Sequence, residues 1–234
     1  DDEAENISPP STENQRRRIC ERGCERPMPV CICHAIPKPP IPTTTRVLIV
    51  QHPHEAHHRL NTTSLLSKSL VDASTVVTRR LRPEHMKTYI YPPIPTYYLF
   101  PYSPSTPLSC LNNKIKEQLK MGPVVLIAFD GTWNQAREMV RASEEYLSNF
   151  ATRVCLDGYD PQSEGGSIYN SDLLLRKEPR RGCVSTAEAV ARWLGAVENN
   201  GPDIEIGILG ALREMVRLQA QYLKPVPKRG RKTT

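Results

Sequence analysis

The sequence predicts an α/β fold, a mostly parallel sheet flanked by helices within one ordered domain. Short β-branched apolar runs alternate along the chain with stretches whose apolar residues recur at helical spacing. Two of the runs, 47–50 and 124–129, are apolar at every position, as strands covered by helices on both faces require. The 234 residues suffice for one sizeable core, and α/β chains of this length are often single domains.

Taken in order, residues 1–18 start acidic and turn basic at Arg16, Arg17 and Arg18, with almost nothing to bury. They are expected to be a disordered N-terminal segment. The ordered domain is expected over 19–223. Within it the spacing predicts strands at 46–51, 75–78, 96–100, 124–129 and 153–156. A helix is expected from Thr62, with Leu65, Leu66 and Leu70 on one face, and another through Gln135, Ala136, Met139 and Val140. Ser185 and Glu188 form a capping-box pattern ahead of a helix through Ala191, Trp193, Leu194 and Val197. A last amphipathic helix is expected over 203–222, with Ile208, Leu212, Met215 and Leu218 along it. Prolines crowd 37–42 and 92–107, which read as extended connectors. Residues 224–234 carry Lys224, Lys228, Arg229, Arg231 and Lys232 and are expected to form a basic flexible tail.

The formal charge of +6 and pI near 9.0 point to an anionic partner, nucleic acid first and a membrane surface second. No apolar run approaches the roughly 20 residues that span a bilayer, and no apolar signal-peptide core stands near the start. The absence of any Gly-rich phosphate loop argues against an NTPase or a dinucleotide enzyme. Ser185 has no evident His and Asp partners for a hydrolase triad. No obligate protein partner is evident.

Four segments carry candidate chemistry. Phe129-Asp130-Gly131-Thr132-Trp133-Asn134-Gln135-Ala136 joins a buried strand to a helix, at the sheet edge where open α/β folds bind ligands. It supplies a charge, a hydroxyl and a flat apolar face; equally, Asp130 or Thr132 could serve as a helix cap and Trp133 as a packing staple. Cys20, Cys24, Cys31 and Cys33, spaced C-x3-C-x6-C-x-C, can bring four thiols together for tetrahedral zinc, with unliganded or redox thiols as the alternative and His34 as a competing ligand. Cys110, Cys155 and Cys183 stand alone and read as buried thiols. His52-Pro53-His54-Glu55-Ala56-His57-His58 follows the first strand; a second metal site there would have to use His54 and His58. Arg59 and Asn61 in the same stretch suit a phosphate or carboxylate, or a helix cap in the case of Asn61. Finally, Arg176 and Lys177 lead through Arg180 and Arg181 to the Ser185 helix start, a favourable anion site.

In this order the cysteine cluster with Arg26-Pro27, the segment from His52 and Pro53 through Glu55, Arg59, Asn61 and Thr62, Asp130-Gly131-Thr132-Trp133 with Gln135-Ala136, Arg176-Lys177, and Ser185-Thr186 with Glu188-Ala189 resemble the DTW-domain family of tRNA-uridine aminocarboxypropyltransferases. The resemblance runs from about Cys20 to Tyr222. In much of that family the first cysteine pair looks like C-x2-C, whereas here it is C-x3-C. The resemblance implies transfer of the 3-amino-3-carboxypropyl group of S-adenosylmethionine to N3 of a tRNA uridine, with release of methylthioadenosine. It also implies a SPOUT-like fold with a knotted C-terminal cofactor site, a structural zinc on the four cysteines, and a cytoplasmic or nuclear protein whose partner is tRNA. Asp130 is then the expected general base. Thr132, Trp133, Ser185, Thr186 and Glu188 are expected at the cofactor, and His52, Arg59, Asn61, Arg176 and Lys177 at the substrate. A SPOUT-type RNA methyltransferase and a non-catalytic zinc-containing RNA-binding module are the alternative readings.

Overall fold

The computed structural model describes residues 18–21, 23–56, 61–87, 94–101, 104–157 and 184–222. Its centre is a six-stranded sheet built from β1 (Thr45–Gln51), β2 (Ala73–Val77), β3 (Thr96–Leu99), β4 (Thr106–Pro107), β5 (Val124–Asp130) and β6 (Ala151–Cys155). The strands lie in the order β2-β1-β5-β3-β6-β4, and every pairing is parallel. The register sets Gln51 opposite Asp130 and Leu99 opposite both Ala128 and Val154. All the carboxyl ends therefore open onto one rim.

Side chains on a strand alternate between faces, and the two faces of this sheet feed separate cores. Val47, Ile49, Val124, Leu126 and Ala128 join one cluster with Trp193, Ile208 and Leu212. Their neighbours Leu48, Val50, Val125, Ile127 and Phe129 join another with Met139, Val140 and Leu147. Burial on both faces explains the unbroken apolar runs. The first face is covered by α1 (Thr63–Ser69), α2 (Leu108–Met121), α4 (Thr186–Val197) and α5 (Gly201–Ala220), the second by α3 (Trp133–Leu147) and a short 3-10 turn, Pro83–Met86.

Helix α2 is absent from the sequence expectation. Its signal is thin: of its fourteen residues only Leu108 and Ile115 are buried, and its N-cap is Pro107, which makes no side-chain capping bond. Leu108, Leu111, Ile115 and Leu119 do recur at helical spacing before Gly122, and the Pro-rich stretch ahead of them masks the start. That stretch also contains β4, a two-residue edge strand ending at Pro107; its outer position in the sheet tolerates a missing backbone donor. The last helix begins at Gly201 and ends at Ala220, so it starts two residues earlier than expected, with Pro202 in its first turn.

Helices α4 and α5 turn back on one another at Gly201. A Cβ there would stand 2.3 Å from the Gly195 carbonyl oxygen and 2.7 Å from that of Leu194. Only glycine permits this approach. Glu198, the first residue of the connection, is buried and accepts from the backbone N–H groups of Thr45 (2.7 Å) and Thr44 (3.3 Å), which ties the end of α4 to the entry of β1.

The cysteine segment packs onto the same core, Cys20, Cys24, Ile32, Cys33 and Ile36 being buried with the α5 residues. Arg26, itself buried, donates from Nε to the Val30 carbonyl (3.0 Å) and from its guanidinium to Gln219 Oε1 of α5 (3.1 Å). No helix among the described residues is long and apolar enough to cross a membrane.

Candidate active site

The rim collects residues from every long strand. At the end of β5, Asp130 is 4 % exposed and accepts two hydrogen bonds on Oδ2, from Thr63 Oγ1 (2.8 Å) and Gln51 Nε2 (3.0 Å). Both bonds fall on one oxygen, Oδ2, and the chain neighbours of Asp130, Phe129 and Gly131, line the adjoining cleft. Asp130 does not cap α3. That task falls to Thr132, whose Oγ1 accepts from Gln135 N–H while Gln135 Oε1 accepts from Thr132 N–H at 2.8 Å, a reciprocal capping box.

Behind Asp130 the network is closed. Gln51 Nε2 also lies 2.8 Å from Thr63 Oγ1 and 3.1 Å from Asn61 Oδ1. Asn61 in turn accepts from Thr63 N–H (2.9 Å) and donates to the Ala56 carbonyl (3.2 Å), so it caps the start of α1 and pins the preceding loop. His52 is buried; its N–H donates to the Asp130 carbonyl (2.8 Å) and its Nδ1 accepts from His54 N–H (3.2 Å). Burial holds the His52 imidazole below the ordinary histidine range, with His54 and Arg79 adding to the effect. Its ring meets that of His54 edge-on at 4.9 Å.

On the other side of Gly131 lies a cleft of ≈ 210 Å³. The ends of β3, β5 and β6 form its floor through Leu99, Phe100, Ala128, Phe129, Val154 and Cys155, and the first turns of α3 and α4 form its walls. Trp133 and Thr132 come from α3, Ser185 and Thr186 from α4. Ser185 Oγ accepts from Glu188 N–H at 3.2 Å, so the serine caps its helix. Two helix N-termini thus face one mostly apolar cleft, an arrangement that favours a ligand with a flat apolar part and a negative group. Gly131 separates cleft from polar network: a Cβ there would stand 3.1 Å from Gln135 Cβ and 3.4 Å from His52 Cβ.

Of the sequence-derived candidates, Asp130, His52 and Asn61 share the polar network, and Thr132, Trp133, Ser185 and Thr186 line the cleft. Glu188 is buried below the cleft's α4 wall and pairs with Arg192 one turn on. Arg59, Arg176, Lys177 and His58 lie outside the described residues, as do Arg16, Arg17 and the basic tail. Gln51 and Thr63, which hold Asp130, were missed by sequence reasoning; one ends a strand and the other starts a helix, so each looks like ordinary element punctuation.

The four cysteines converge outside the cleft lining, in the segment packed with α5. Their Sγ atoms all lie within 4.8 Å of one another, with Cys20 at 3.5 Å from Cys33 and 3.3 Å from Cys31, and Cys24 at 3.6 Å from Cys31. A tetrahedron with Zn–S bonds of about 2.3 Å has sulfur separations near 3.8 Å, so the donor set fits that ion. Burial, followed by contacts with the neighbouring thiols, pushes the Cys33 thiol up to about 12. Gly23 (φ 114°) and Glu25 (φ 55°) take left-handed backbone on either side of the second ligand, Cys24, and turn the chain there. His34 does not compete for the site: its Nε2 meets Glu214 Oε1 at 3.0 Å. Of the isolated cysteines, Cys110 is exposed rather than buried, because it sits on the outer face of α2; Cys155 is half-buried at the cleft, and Cys183 lies outside the described residues.

The sequence has relatives among known proteins. The DTW domain profile matches residues 17–220. The chain is 48 % identical to the tRNA-uridine aminocarboxypropyltransferase A of Arabidopsis thaliana, over 92 % of this chain and 86 % of that protein. It is 28 % identical to the tRNA-uridine aminocarboxypropyltransferase 2 of Drosophila melanogaster, over 92 % of this chain and 86 % of the relative. The mouse protein of the same name is 29 % identical, over 93 % of this chain and 74 % of the relative. No solved structure matches significantly.

Proposed function

The chain belongs to the DTW-domain family, and from that premise we propose that it transfers the 3-amino-3-carboxypropyl group of S-adenosylmethionine to N3 of a tRNA uridine, in the cytoplasm or the nucleus. The observation that carries this reading is the pairing of a positioned carboxylate, Asp130, with an adjoining apolar cleft walled by two helix N-termini. The names of the relatives supply the reaction and the RNA. S-adenosylmethionine brings an electrophilic carbon and, at its sulfonium, a good leaving group. What remains for the protein is a proton and a geometry.

Uridine N3 is a poor nucleophile while it keeps its proton. Asp130 takes that proton on Oδ1 while Gln51 and Thr63 donate to Oδ2, so the carboxylate keeps its orientation. Trp133 offers its face to the adenine or the uracil, and Thr132, Ser185 and Thr186 offer hydroxyls to the donor's polar groups. Arg59, Arg176 and Lys177 are assigned to phosphate or carboxylate contacts. The remaining acceleration comes from alignment. We assign the cleft to the C-terminal cofactor site of a SPOUT-like fold. The four cysteines are assigned one structural zinc.

Donor labelled separately in the carboxyl carbon and in the methyl group tests the reading. Incubation with tRNA should move the carboxyl label, and not the methyl label, into the RNA. Transfer of methyl label instead would make the protein a methyltransferase, and transfer of neither would leave an RNA-binding module.

A further inference from the structure

Resting on the reading above, we propose that Arg79, on the loop after β2, is the docking point for the backbone phosphate of the RNA strand that carries the target uridine. The loop is built, not slack. Thr78 N–H donates to the Gln51 carbonyl (3.0 Å), and Thr78 Oγ1 donates to the Arg80 carbonyl (3.0 Å). Leu81 is fully buried, and its N–H donates to Ser143 Oγ (2.9 Å), which donates onward to the Met139 carbonyl (2.7 Å). The arginine is therefore carried by a segment tied both to α3 and to Gln51, the residue whose amide holds Asp130. A cation fixed in this way to the base's own support keeps its distance from the reacting atoms.

The charges nearby single out Arg79. Arg80 and Arg82 stand 3.9 Å from Glu145 and 3.8 Å from Glu84, exposed pairs of little energetic weight but with a carboxylate in reach. Arg79, exposed, meets only the imidazole of His54, its guanidinium nitrogen 3.4 Å from Nε2, among the described residues. At the neighbouring His52 the electrostatic effect of Arg79 outranks those of Glu138 and Glu55. Arg79 does not line the cleft, so the cofactor's carboxylate is not its natural partner. A phosphodiester is: it accepts two parallel bonds from a guanidinium, and phosphate contacts fix register without reading sequence. An unstacked uridine reaching Asp130 must carry its own backbone past this rim.

Binding of tRNA, measured without transfer across a salt series, tests the proposal with wild type, Arg79→Gln and Arg79→Lys. Arg79→Gln should weaken binding about five- to tenfold at low salt and reduce the slope of log affinity against log salt by about 0.7, one single-strand phosphate contact. Arg79→Lys should recover most of that slope. Melting temperature and S-adenosylmethionine affinity should stay at wild-type values. Unchanged affinity and slope in Arg79→Gln would overturn the proposal, as would an equal loss of S-adenosylmethionine affinity, which would assign the arginine to the cofactor. Because binding is read separately, a protein that binds RNA through Arg79 but transfers nothing would sink the proposed reaction and leave this surface standing.

Discussion

The cysteine knuckle and the rim of the sheet are both clusters of reactive side chains, and they are assembled in opposite ways. The knuckle gathers its four thiols from fourteen consecutive residues, 20–33, and the local turns at Gly23 and Glu25 do most of the gathering. The rim draws on β1, β5, α1, α3 and α4, so that Thr63 reaches Asp130 across 67 positions of chain. A local cluster can be held by its own ligand. A dispersed one exists only if the whole sheet forms, so it inherits its precision from the core. On the function proposed above, the difference assigns roles: the knuckle is to contribute stability and the rim to carry the chemistry.

Breaking the knuckle should have the largest effect on stability and a small one on chemistry. Cys33→Ser should reduce bound zinc from about one equivalent to none and destabilise the protein by roughly 3 kcal/mol or more, since zinc binding supplies about 10–16 kcal/mol in small metal-folded domains. Elemental analysis and thermal melts check it. Any molecules that remain folded should still transfer, because no cysteine of the cluster lines the cleft; a dead but fully folded Cys33→Ser would erase the distinction drawn here. The rim should show the reverse pattern. Thr63→Val removes one of the two bonds to Asp130 Oδ2, and is expected to lower stability by about 1 kcal/mol while slowing turnover about tenfold. Donor affinity should not change, which a titration would verify.

Smaller still is the effect of Thr132→Ala, which deletes the α3 cap at a cost of about 1 kcal/mol and reduces donor affinity only modestly, since one hydroxyl leaves the cleft. The least effect is a pH dependence. Burial lowers the folded-state pKa of His52 below the ordinary value of about 6.5, so its neutral form stabilises the fold fully above that value. The contribution is lost as pH falls from there through the folded-state pKa. Melting curves of His52→Gln should accordingly fall less steeply with acidification below about 6.5 than those of wild type.

The same contrast governs what could be read in advance. The knuckle was legible as a set because its ligands are adjacent, and Val47–Val50 and Val124–Phe129 were legible as strands because burial on two faces leaves no polar position. At the rim, the ordered motifs named Asp130, Trp133 and Ser185, but not Gln51 and Thr63, the two side chains that donate to Asp130. Gln51 and Thr63 have no spacing relation to Asp130; only the β1–β5 register, Gln51 against Asp130, brings them together. Thr132 and Asn61 show the converse. Each was a candidate ligand, and each spends its side chain on a helix N-terminus, which for Thr132 still leaves it lining the cleft. Helix α2 went unread because most of its surface is polar and its start is hidden among prolines.

Asp130→Asn tests the central claim most directly. The amide keeps the size of the carboxylate and can still meet Thr63, so the variant should fold, hold zinc and bind S-adenosylmethionine as wild type does. Nucleosides from tRNA incubated with donor, quantified by mass spectrometry in a single turnover, should show aminocarboxypropyl-uridine forming on the order of 10²- to 10⁴-fold more slowly than with wild type, the range a general base supplies. Formation of the modified uridine at the wild-type rate by folded, donor-bound Asp130→Asn would contradict the assignment of the base and with it the division of labour between rim and knuckle.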